Sequence, residues 1–461
     1  MLCLGAFMAS LDLIIVNVAF RSIGLDFAGS SLSQLSWVLN GYVVVFAALL
    51  VPAGRLADRY GRRAGFLLGL AIFTVASAAC AASSGVWWLV GFRVVQAIGA
   101  AGLTSASLGL VVASSAPEQR ARSVEIWTAT GAVAAALGPV LGGLLVEASW
   151  RWIFLLNVPI GLLAMLAAIR WVPDSRDASV TRFPDLLGAA LLAAGIGLLS
   201  LALVEGPEWG WDGPRTDIAW AAAVAGLAGF AAQSSRHSSP VVAPALLRVR
   251  TFVWSSLTVL VFAIPFGASL LAAVLWLQQM WGYSPLRTGL AITPAPLLVM
   301  VFAAVGHRLA SRFPIGLVVS LGCLASSAGM ALIAASAGAG SVYATEFLPG
   351  WMIGGAGIGL ALPALVSVAT SDLPSADAST GSGVVNMNRQ IGTALGVSLV
   401  VAVLGTSTTY PVTHAAFRHA WFVIAALAAL TAAVAARLPS PHAARPVEAA
   451  GAQRPARGRA G

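Results

Sequence analysis

The sequence predicts an all-α integral membrane protein whose helices cross the bilayer fourteen times. Of the 461 residues, 59% are hydrophobic and only 9% are charged, whereas soluble domains have about 45–50% apolar and about 25% charged residues. A membrane-spanning helix takes roughly 20 apolar residues, so the chain is long enough for fourteen spans and their short connections. This composition excludes an ordinary soluble enzyme and, because disorder requires few apolar residues, a largely disordered chain.

Apolar runs between clusters of charge and turn residues predict the spans in order. The predicted helices are 2–23, 35–54, 64–83, 86–113, 122–147, 151–172, 185–204, 217–233, 252–277, 286–307, 315–337, 342–369, 379–404 and 416–437. Because the N-terminus lacks the basic region and cleavage site of a signal peptide, we expect the first helix to be retained. A true start upstream of Met1 stays open, since the chain enters this helix almost at once.

The distribution of arginine predicts the orientation. With a cytoplasmic N-terminus, nineteen of the 26 basic residues fall in cytoplasmic segments, five fall in outer loops, and Arg93 and Arg389 lie inside helices. Cytoplasmic loops of membrane proteins carry this kind of excess. We therefore expect a multi-pass protein of the bacterial cytoplasmic membrane with both termini in the cytoplasm.

A faint internal repeat indicates how the helices are grouped. Segment 56–61 resembles segment 309–314, 253 residues later, and Leu-Gly at 137–138 recurs 258 residues later at 395–396. Two six-helix halves alone would give a shorter period, and one inserted helix pair accounts for the excess. Parallel repeats of this kind place a substrate site between the halves. We predict an N-terminal six-helix bundle (1–172), an inserted transmembrane pair with cytoplasmic linkers (173–251), a C-terminal six-helix bundle (252–437) and a disordered cytoplasmic tail (438–461).

The most specific pattern is GRLADRYGRR at residues 54–63. Its glycines permit a tight turn between packed helices, and Asp58 can accept hydrogen bonds from a helix N-terminus or an arginine across an interface. The basic loop of the positive-inside rule is the alternative, but it does not explain the Gly and Asp spacing. The segment resembles the loop 2–3 signature of the major facilitator superfamily, which implies that fold and a gating role for Gly54, Asp58, Arg59, Gly61, Arg62 and Arg63.

The fifth predicted helix carries GAVAAALGPVLGG, which resembles the antiporter motif of drug exporters in that superfamily. Small residues on one face let helices approach closely, and a proline removes a backbone hydrogen bond and permits a bend. Generic packing is the alternative, since Gly and Pro are common in membrane helices. The residues of this motif are Gly131, Gly138, Pro139, Gly142 and Gly143.

Five further segments, 11–19, 93–102, 150–161, 277–289 and 386–396, resemble the 14-helix drug:proton antiporter family of multidrug efflux transporters. The first departs from the family pattern, which normally ends in Ala-Leu-Pro, because this chain has Ala19-Phe20-Arg21. Polar residues within these segments are candidates to line the cavity: Asn17, Gln96, Asn386, Arg389 and Gln390.

Asp12 is the acidic residue that the predicted helices place near the bilayer centre, roughly 15 Å into the first helix in a core about 30 Å thick. Burial favours its neutral form, whereas a nearby Arg93 favours its charged form. We therefore assign proton coupling to Asp12 and Arg93, with a static, hydrogen-bonded aspartate as the alternative. Because so few acids lie at depth, we expect a neutral, zwitterionic or anionic cargo rather than a dication. Glu147, Glu205 and Glu346 are expected at solvated outer ends.

The scattered histidines and cysteines show no metal-ligand spacing, and the sequence has no GxxxxGK[ST] phosphate-binding loop. We expect no metal and no cofactor, with the proton gradient as the energy source. The resemblance implies a secondary transporter rather than an enzyme, which exports amphipathic small molecules such as drugs or antibiotics by alternating access. We expect lipid, cargo and protons as partners, no nucleic acid, and a monomer. A dedicated exporter of one endogenous metabolite and an uptake carrier or uniporter remain as alternatives.

Overall fold

A computed structural model describes residues 2–177, 180, 182–336, 342–405 and 410–439. In this part of the chain, fourteen helices are long and apolar enough to cross a membrane, as predicted. They are α1 Leu2–Asp26, α2 Leu32–Tyr60, α3 Arg62–Ala81, α4 Val86–Ser114, α5 Arg120–Ala148, α6 Trp152–Trp171, α7 Leu186–Trp209, α8 Pro214–Arg236, α9 Arg250–Met280, α10 Pro285–Ala310, α11 Ile315–Ser336, α12 Tyr343–Ser371, α13 Ser375–Leu404 and α14 Tyr410–Ala435. Apart from residues 438 and 439, the predicted tail lies outside the described residues.

The second helix is longer than predicted. It continues from Gly54 through Tyr60, and only Gly61 interrupts the chain before α3 begins at Arg62. The expectation of a loop between the predicted helices 35–54 and 64–83 is therefore wrong for residues 55–60. Most residues of this stretch are compatible with a helix, whereas Gly61 has φ 124°, which L-residues with a side chain rarely adopt. The turn is consequently confined to one residue.

Four spans contain a break or a widened turn. The two breaks divide α6 into Trp152–Leu155 and Asn157–Trp171, and α10 into Pro285–Ile292 and Pro294–Ala310. The last turn of α9, Trp276–Met280, and the first turn of α12, Tyr343–Phe347, are π-helical. Such turns are rare and occur frequently at functional sites.

Helix contacts repeat eight spans apart. In α1–α6, here the first bundle, α4 packs against α1, α2 and α3; in α9–α14, the second bundle, α12 packs in the same way against α9, α10 and α11. A Cβ on Gly69 of α3 would lie 2.9 Å from the carbonyl oxygen of Gly99 in α4, and one on Gly322 of α11 would lie 2.6 Å from that of Gly357 in α12. These glycines are 253 and 258 residues apart, the two offsets of the sequence repeat.

The inserted pair α7 and α8 lies beside the seam between the bundles. Helix α7 packs against α2 of the first bundle and α13 of the second. The connection from α6 to α7 covers the α2–α3 turn, where the Arg62 amide donates to the Ser175 carbonyl (2.9 Å) and the Asp177 amide donates to the Asp58 carbonyl (3.0 Å). The pair is therefore attached to both bundles and to the turn region at 54–63.

The two ends of the molecule are distinguished by the direction of α1. We call the side where α1 begins the near side and the side where it ends the far side. Because the described spans are even in number, α14 also ends on the near side. The bundles meet chiefly where α2 packs against α13 and where α5 packs against α10.

Candidate functional site

Asp12 of α1 and Arg93 of α4 form an ion pair inside the first bundle, between Asp12 Oδ2 and Arg93 Nη1. Asp12 is 1% exposed and Arg93 is fully buried. Asp12 lies about 15 Å along the helix axis from Leu2 and about 21 Å from Asp26. Four ion pairs occur within the described residues, and every partner in the other three is at least 19% exposed. This pair alone is withdrawn from solvent.

Side chains from three helices surround the Asp12 carboxylate. Gln96 of α4 accepts from Arg93 Nη1 (2.8 Å) and donates through Nε2 to Asp12 Oδ1 (3.0 Å) and to the Ser77 hydroxyl of α3 (2.8 Å). Asn157 Nδ2, from α6, donates to the same carboxylate oxygen (3.3 Å). We call Asp12, Ser77, Arg93, Gln96 and Asn157 the buried polar cluster. Its charge is neutral overall, and its carboxylate is bonded on both oxygens.

Helix α2 completes the surroundings of Arg93. Arg93 Nε donates to the Val38 carbonyl of α2 (3.2 Å), and the Arg93 guanidinium carbon lies 3.9 Å from the centre of the Tyr42 ring. Arg93 therefore has a backbone partner and an aromatic partner in addition to the Asp12 carboxylate. Within the described residues, no three His, Cys, Asp or Glu side chains come together to hold a metal ion.

The cavity candidates of the first bundle lie in the protein interior. Gln96 is fully buried in the cluster, and Asn17 is 6% exposed and donates to the Leu13 carbonyl of its own helix (2.9 Å). In the second bundle, Gln390 is 5% exposed. Asn386 and Arg389 are half-buried, and the Asn386 side-chain oxygen accepts from Arg389 Nε (3.2 Å) and Nη2 (2.8 Å).

The glycines of the fifth helix bring α5 against α1. A Cβ on Gly138 would lie 2.9 Å from Ile14 Cγ2, and one on Gly142 would lie 2.7 Å from Ile15 Cγ1. A larger residue at either position would require the Ile14 or Ile15 side chain of α1 to shift. Gly131 differs, because its nearest neighbour, the Ser10 hydroxyl, is at an ordinary 3.5 Å.

The far end of the same motif brings α5 against α10 of the other bundle. A Cβ on Gly143 would lie 2.6 Å from the Pro285 carbonyl oxygen, and one on Gly289 would overlap the Pro139 carbonyl. The Glu147 carboxylate also accepts from the Leu286 amide (3.2 Å) at the start of α10. Glu147 is exposed, as expected, and it also caps a helix across the interface.

Two reciprocal hydrogen bonds join α1 to the π turn of α9 on the far side. Gln278 Nε2 donates to the Val18 carbonyl (3.0 Å), and Arg21 Nη1 donates to the Gln278 carbonyl (2.5 Å). Arg21 occupies the position where the family-like pattern departs from proline, but sequence reasoning did not single it out as a contact between the bundles. Ser77 and Tyr42 belong to none of the recognised segments, so sequence reasoning did not single them out.

The segment 54–63 makes its bonds within the first bundle and to the linkers. Asp58 Oδ1 accepts from Arg62 Nε (2.6 Å), Arg63 donates to the Ile169 carbonyl (2.5 Å), and Arg55 bonds to the Ser239 hydroxyl. The Arg59 guanidinium carbon lies 5.9 Å from the Phe183 ring centre. In the described part of the chain, no hydrogen bond or ion pair joins this segment to the second bundle. Gly54, within α2, packs near Ser105 of α4.

Sequence comparisons identify similar proteins. The Multidrug resistance protein Stp of Mycobacterium tuberculosis (strain CDC 1551 / Oshkosh) is 34% identical over 409 residues, 87% of this chain and 74% of Stp. The Methylenomycin A resistance protein of Bacillus subtilis (strain 168) is 33% identical over 419 residues, 89% of this chain and 87% of that protein. The Tetracenomycin C resistance and export protein of Streptomyces glaucescens is 32% identical over 403 residues, 86% and 73% of the two chains.

Comparison with solved structures shows the same fold at low identity. A D-xylose-proton symporter superposes with a TM-score of 0.68 at 14% identity, covering 95% of this chain and 97% of the symporter. A bacterial homolog to human lysosomal transporter Spinster gives 0.63 at 17% identity, covering 94% of each chain. The model for the Major Facilitator Superfamily matches residues 2–397. The chain therefore belongs to the Major Facilitator Superfamily, as a multi-pass membrane transporter related to multidrug- and antibiotic-resistance proteins.

Proposed function

We propose that this protein exports amphipathic small molecules, such as drugs or antibiotics, across the cytoplasmic membrane in exchange for protons. The observation that carries the proposal is the buried Asp12–Arg93 pair at mid-span. An ionisable group at this depth is costly, and it persists where it is paired or serves a proton or ion pathway. Asp12 is the proton carrier in this scheme, and Arg93 stabilises its charged form. Drug export is supported by the relatives named for resistance to methylenomycin A and tetracenomycin C.

Helix α1 provides the mechanical connection between proton and gate. Asp12 lies six residues before Val18 and nine before Arg21, the two residues that bond to Gln278 of the second bundle. Between them, Ile14 and Ile15 pack against the glycines of α5. Because a helix transmits displacement along its axis, a change in the Asp12–Arg93 distance moves the far-side contacts with it. Protonation of Asp12 removes the attraction to Arg93 and so shifts α1.

The arrangement of contacts corresponds to one state of an alternating-access cycle. The near side is the cytoplasmic side in this proposal, because the arginine-rich segments lie there. The contacts of Arg21, Gly143 and Glu147 join the two bundles on the far side, whereas within the described residues the segment 54–63 makes no hydrogen bond or ion pair to the second bundle. We infer that the central space opens to the cytoplasm. In the opposite state, Asp58 leaves Arg62 and bonds to the second bundle.

The cycle follows from these two states. Cargo enters from the cytoplasm while Asp12 releases its proton inward, and the outward-open state takes up a proton and releases the cargo. A proton that crosses a potential contributes about 2.3 kcal/mol per 100 mV, which biases the cycle toward export. The chain acts as a monomer without a bound cofactor, with both termini in the cytoplasm. A dedicated exporter of one antibiotic is the second candidate, because the relatives include proteins named for a single compound.

The test uses two aspartates of the same helix. Asp12→Asn removes the buried charge, and Asp26→Asn is the matched control, because Asp26 forms an exposed pair with Arg151 at the far end of α1. Both variants and the wild type are expressed in an efflux-deficient bacterium, and inverted vesicles are tested for drug accumulation driven by an imposed pH gradient. We expect Asp12→Asn to abolish gradient-driven accumulation and Asp26→Asn to retain most of it.

The alternatives give different results in the same host. Full gradient-driven transport by Asp12→Asn contradicts the assignment of the proton carrier. Resistance to chemically varied toxins indicates a multidrug exporter, and resistance to a single compound indicates a dedicated one. Accumulation in cells rather than exclusion indicates an uptake carrier and rejects export.

A further inference from the structure

We propose that Arg389 is the anion-binding subsite of the transport cavity and that it takes the carboxylate of an amphipathic organic acid. The inference rests on the proposed transport function for the path of the cargo, and it adds the chemical class that the site selects. Arg389 lies in the second bundle, away from the Asp12–Arg93 pair.

Arg389 belongs to a polar stripe on α13. Ser379, Ser382, Asn386 and Arg389 follow one another at spacings of three and four residues, so they share one helix face. Ser379 and Ser382 are exposed, and Asn386 and Arg389 are half-buried. The stripe ends at Thr393, which packs on Gly267 of α9. It therefore leads from the near end of α13 to a closed end at mid-span.

The neighbours of α13 show which way this face points. On one side of the stripe, Gly392 and Gly396 contact α9 of the second bundle; on the other side, Gly383 and Ser398 contact α2 of the first bundle. Because the polar stripe lies between the face of α13 that contacts α9 and the face that contacts α2, it points toward the space between the two bundles. Polar side chains at this depth also avoid lipid, where they would have no partners. We infer that the stripe lines the central space.

Arg389 carries a charge there without a carboxylate partner among the described residues. It lies about 18 Å along the helix from Asp377 and about 22 Å from Leu404, near the middle of its span. None of the four ion pairs includes it. Its only side-chain bonds in this part of the chain run to one neutral acceptor, the Asn386 oxygen.

The geometry of the guanidinium selects the ligand. Asn386 takes Nε and Nη2 and so fixes the plane of the group, while Nη1 makes no hydrogen bond to a described residue. Arginine presents its donors as a planar fork that matches a carboxylate. The acid at the same depth of the first bundle, Asp12, is already neutralised by Arg93. A cationic cargo would therefore meet an unbalanced positive charge, and an anionic cargo would neutralise it.

Binding of three probes with the same ring system tests the proposal. They are 2-naphthoate, 2-naphthamide and (2-naphthylmethyl)trimethylammonium, measured as radiolabelled ligands on the full chain in nanodiscs at pH 7 without a gradient. A charge-assisted hydrogen bond to a buried site corresponds to a roughly 10- to 100-fold change in affinity. We expect the wild type to bind the acid at least about tenfold more tightly than the amide, and the cation more weakly than either.

The variants locate this preference at one residue. Arg389→Gln is expected to bind acid and amide equally, with its amide affinity within about twofold of the wild type, because a neutral probe does not depend on the charge that is removed. Arg389→Lys keeps the charge without the fork and should retain part of the preference, which also covers the case in which Arg389→Gln does not fold. Arg418→Gln is the control, since Arg418 is an exposed arginine of α14.

The following outcomes overturn the proposal: equal binding of acid and amide by the wild type, binding of none of the probes, a preference for the cation, or an acid preference that survives in Arg389→Gln. The binding assay uses no gradient, so its result does not depend on proton coupling. Failure of this proposal can therefore be distinguished from failure of the Asp12→Asn experiment, which tests the proposed function.

Discussion

The two bundles pack their helices in the same way, but equivalent interior positions are polar in the first bundle and apolar in the second. Both contain a close glycine contact between equivalent helices, Gly69 with Gly99 and Gly322 with Gly357. At the offset of 258 residues, however, Arg93 corresponds to Trp351 and Gln96 corresponds to Gly354. Trp351 stacks on Phe347 with ring centres 5.4 Å apart, and its Nε1 donates to the Ile292 carbonyl.

Among the described residues, the second bundle packs its interior without a buried ion pair. A small cavity of about 20 Å³ in this bundle is lined mainly by apolar side chains, among them Phe262, Met330 and Ile424. Burying two charges is costly, and well-packed apolar residues often serve stability as well or better. The contrast indicates that the fold does not require the Asp12–Arg93 pair. Its presence in one bundle supports a role in transport rather than in folding.

Removing the two buried charges of the first bundle is the strongest test of this contrast. Arg93→Gln leaves Asp12 buried without its partner and should lower the free energy of unfolding by about 3–5 kcal/mol. The double variant Asp12→Asn with Arg93→Gln carries no buried charge and should regain most of that loss, but not gradient-driven transport. Unfolding of the purified protein and vesicle transport measure the two effects. A double variant as unstable as Arg93→Gln would show that the pair is structural.

Glycine substitutions test whether the shared packing is equally important in both bundles. Gly69→Ala and Gly322→Ala should each destabilise the protein by about 1–3 kcal/mol, because the added methyl group meets backbone atoms of the facing helix. Gly91→Ala is the control, since a Cβ at Gly91 has open space around it. Thermal unfolding compares the three. A large loss in only one bundle would contradict the equivalence of the two packing schemes.

A substitution at the contact between α5 and α10, which joins the two bundles, is expected to have a smaller effect than the substitutions within the bundles. Gly143→Ala should disfavour the far-closed state by about 1–2 kcal/mol through overlap with the Pro285 carbonyl. A cysteine introduced as Arg287→Cys at the start of α10 should then react faster with an impermeant maleimide added from the far side. Gly131→Ala, in the same motif but with ordinary spacing to Ser10, should leave the rate unchanged. Equal rates in both variants would reject the far-side contact as a gate.

The aromatic contact of Arg93 gives the smallest predicted effect. Tyr42→Leu removes the ring beside the guanidinium and should cost about 0.5–2 kcal/mol of unfolding free energy. Tyr42→Phe keeps the ring and should be nearly neutral, because the Tyr42 hydroxyl has no hydrogen-bond partner among the described residues. Unfolding in detergent measures both. A larger loss in Tyr42→Phe than in Tyr42→Leu would show that the hydroxyl, not the ring, matters.

Much of the architecture was predictable because it depends on local sequence. Hydropathy over about 20 residues decides whether a helix spans a membrane, so all fourteen spans were predicted although several ends shifted by a few residues. Asp12 and Arg93 were recognisable as charges inside apolar runs, and their family-like surroundings indicated a function. The length of α2 was missed because residues 55–60 suit a helix as well as a loop, and a single glycine determines where the turn falls.

The partners of these residues were decided by tertiary structure. Ser77, Asn157 and Tyr42 reach the ion pair because the rotation of α2, α3 and α6 directs them inward. Likewise, the sequence alone did not show that α7 lies against both α2 and α13, or that Glu147 caps α10. The hydropathy of a segment is the sum of the contributions of its own residues, so it can be calculated from the sequence. Contacts between distant helices depend on how each is rotated and crossed, and those angles follow only from the simultaneous packing of all fourteen.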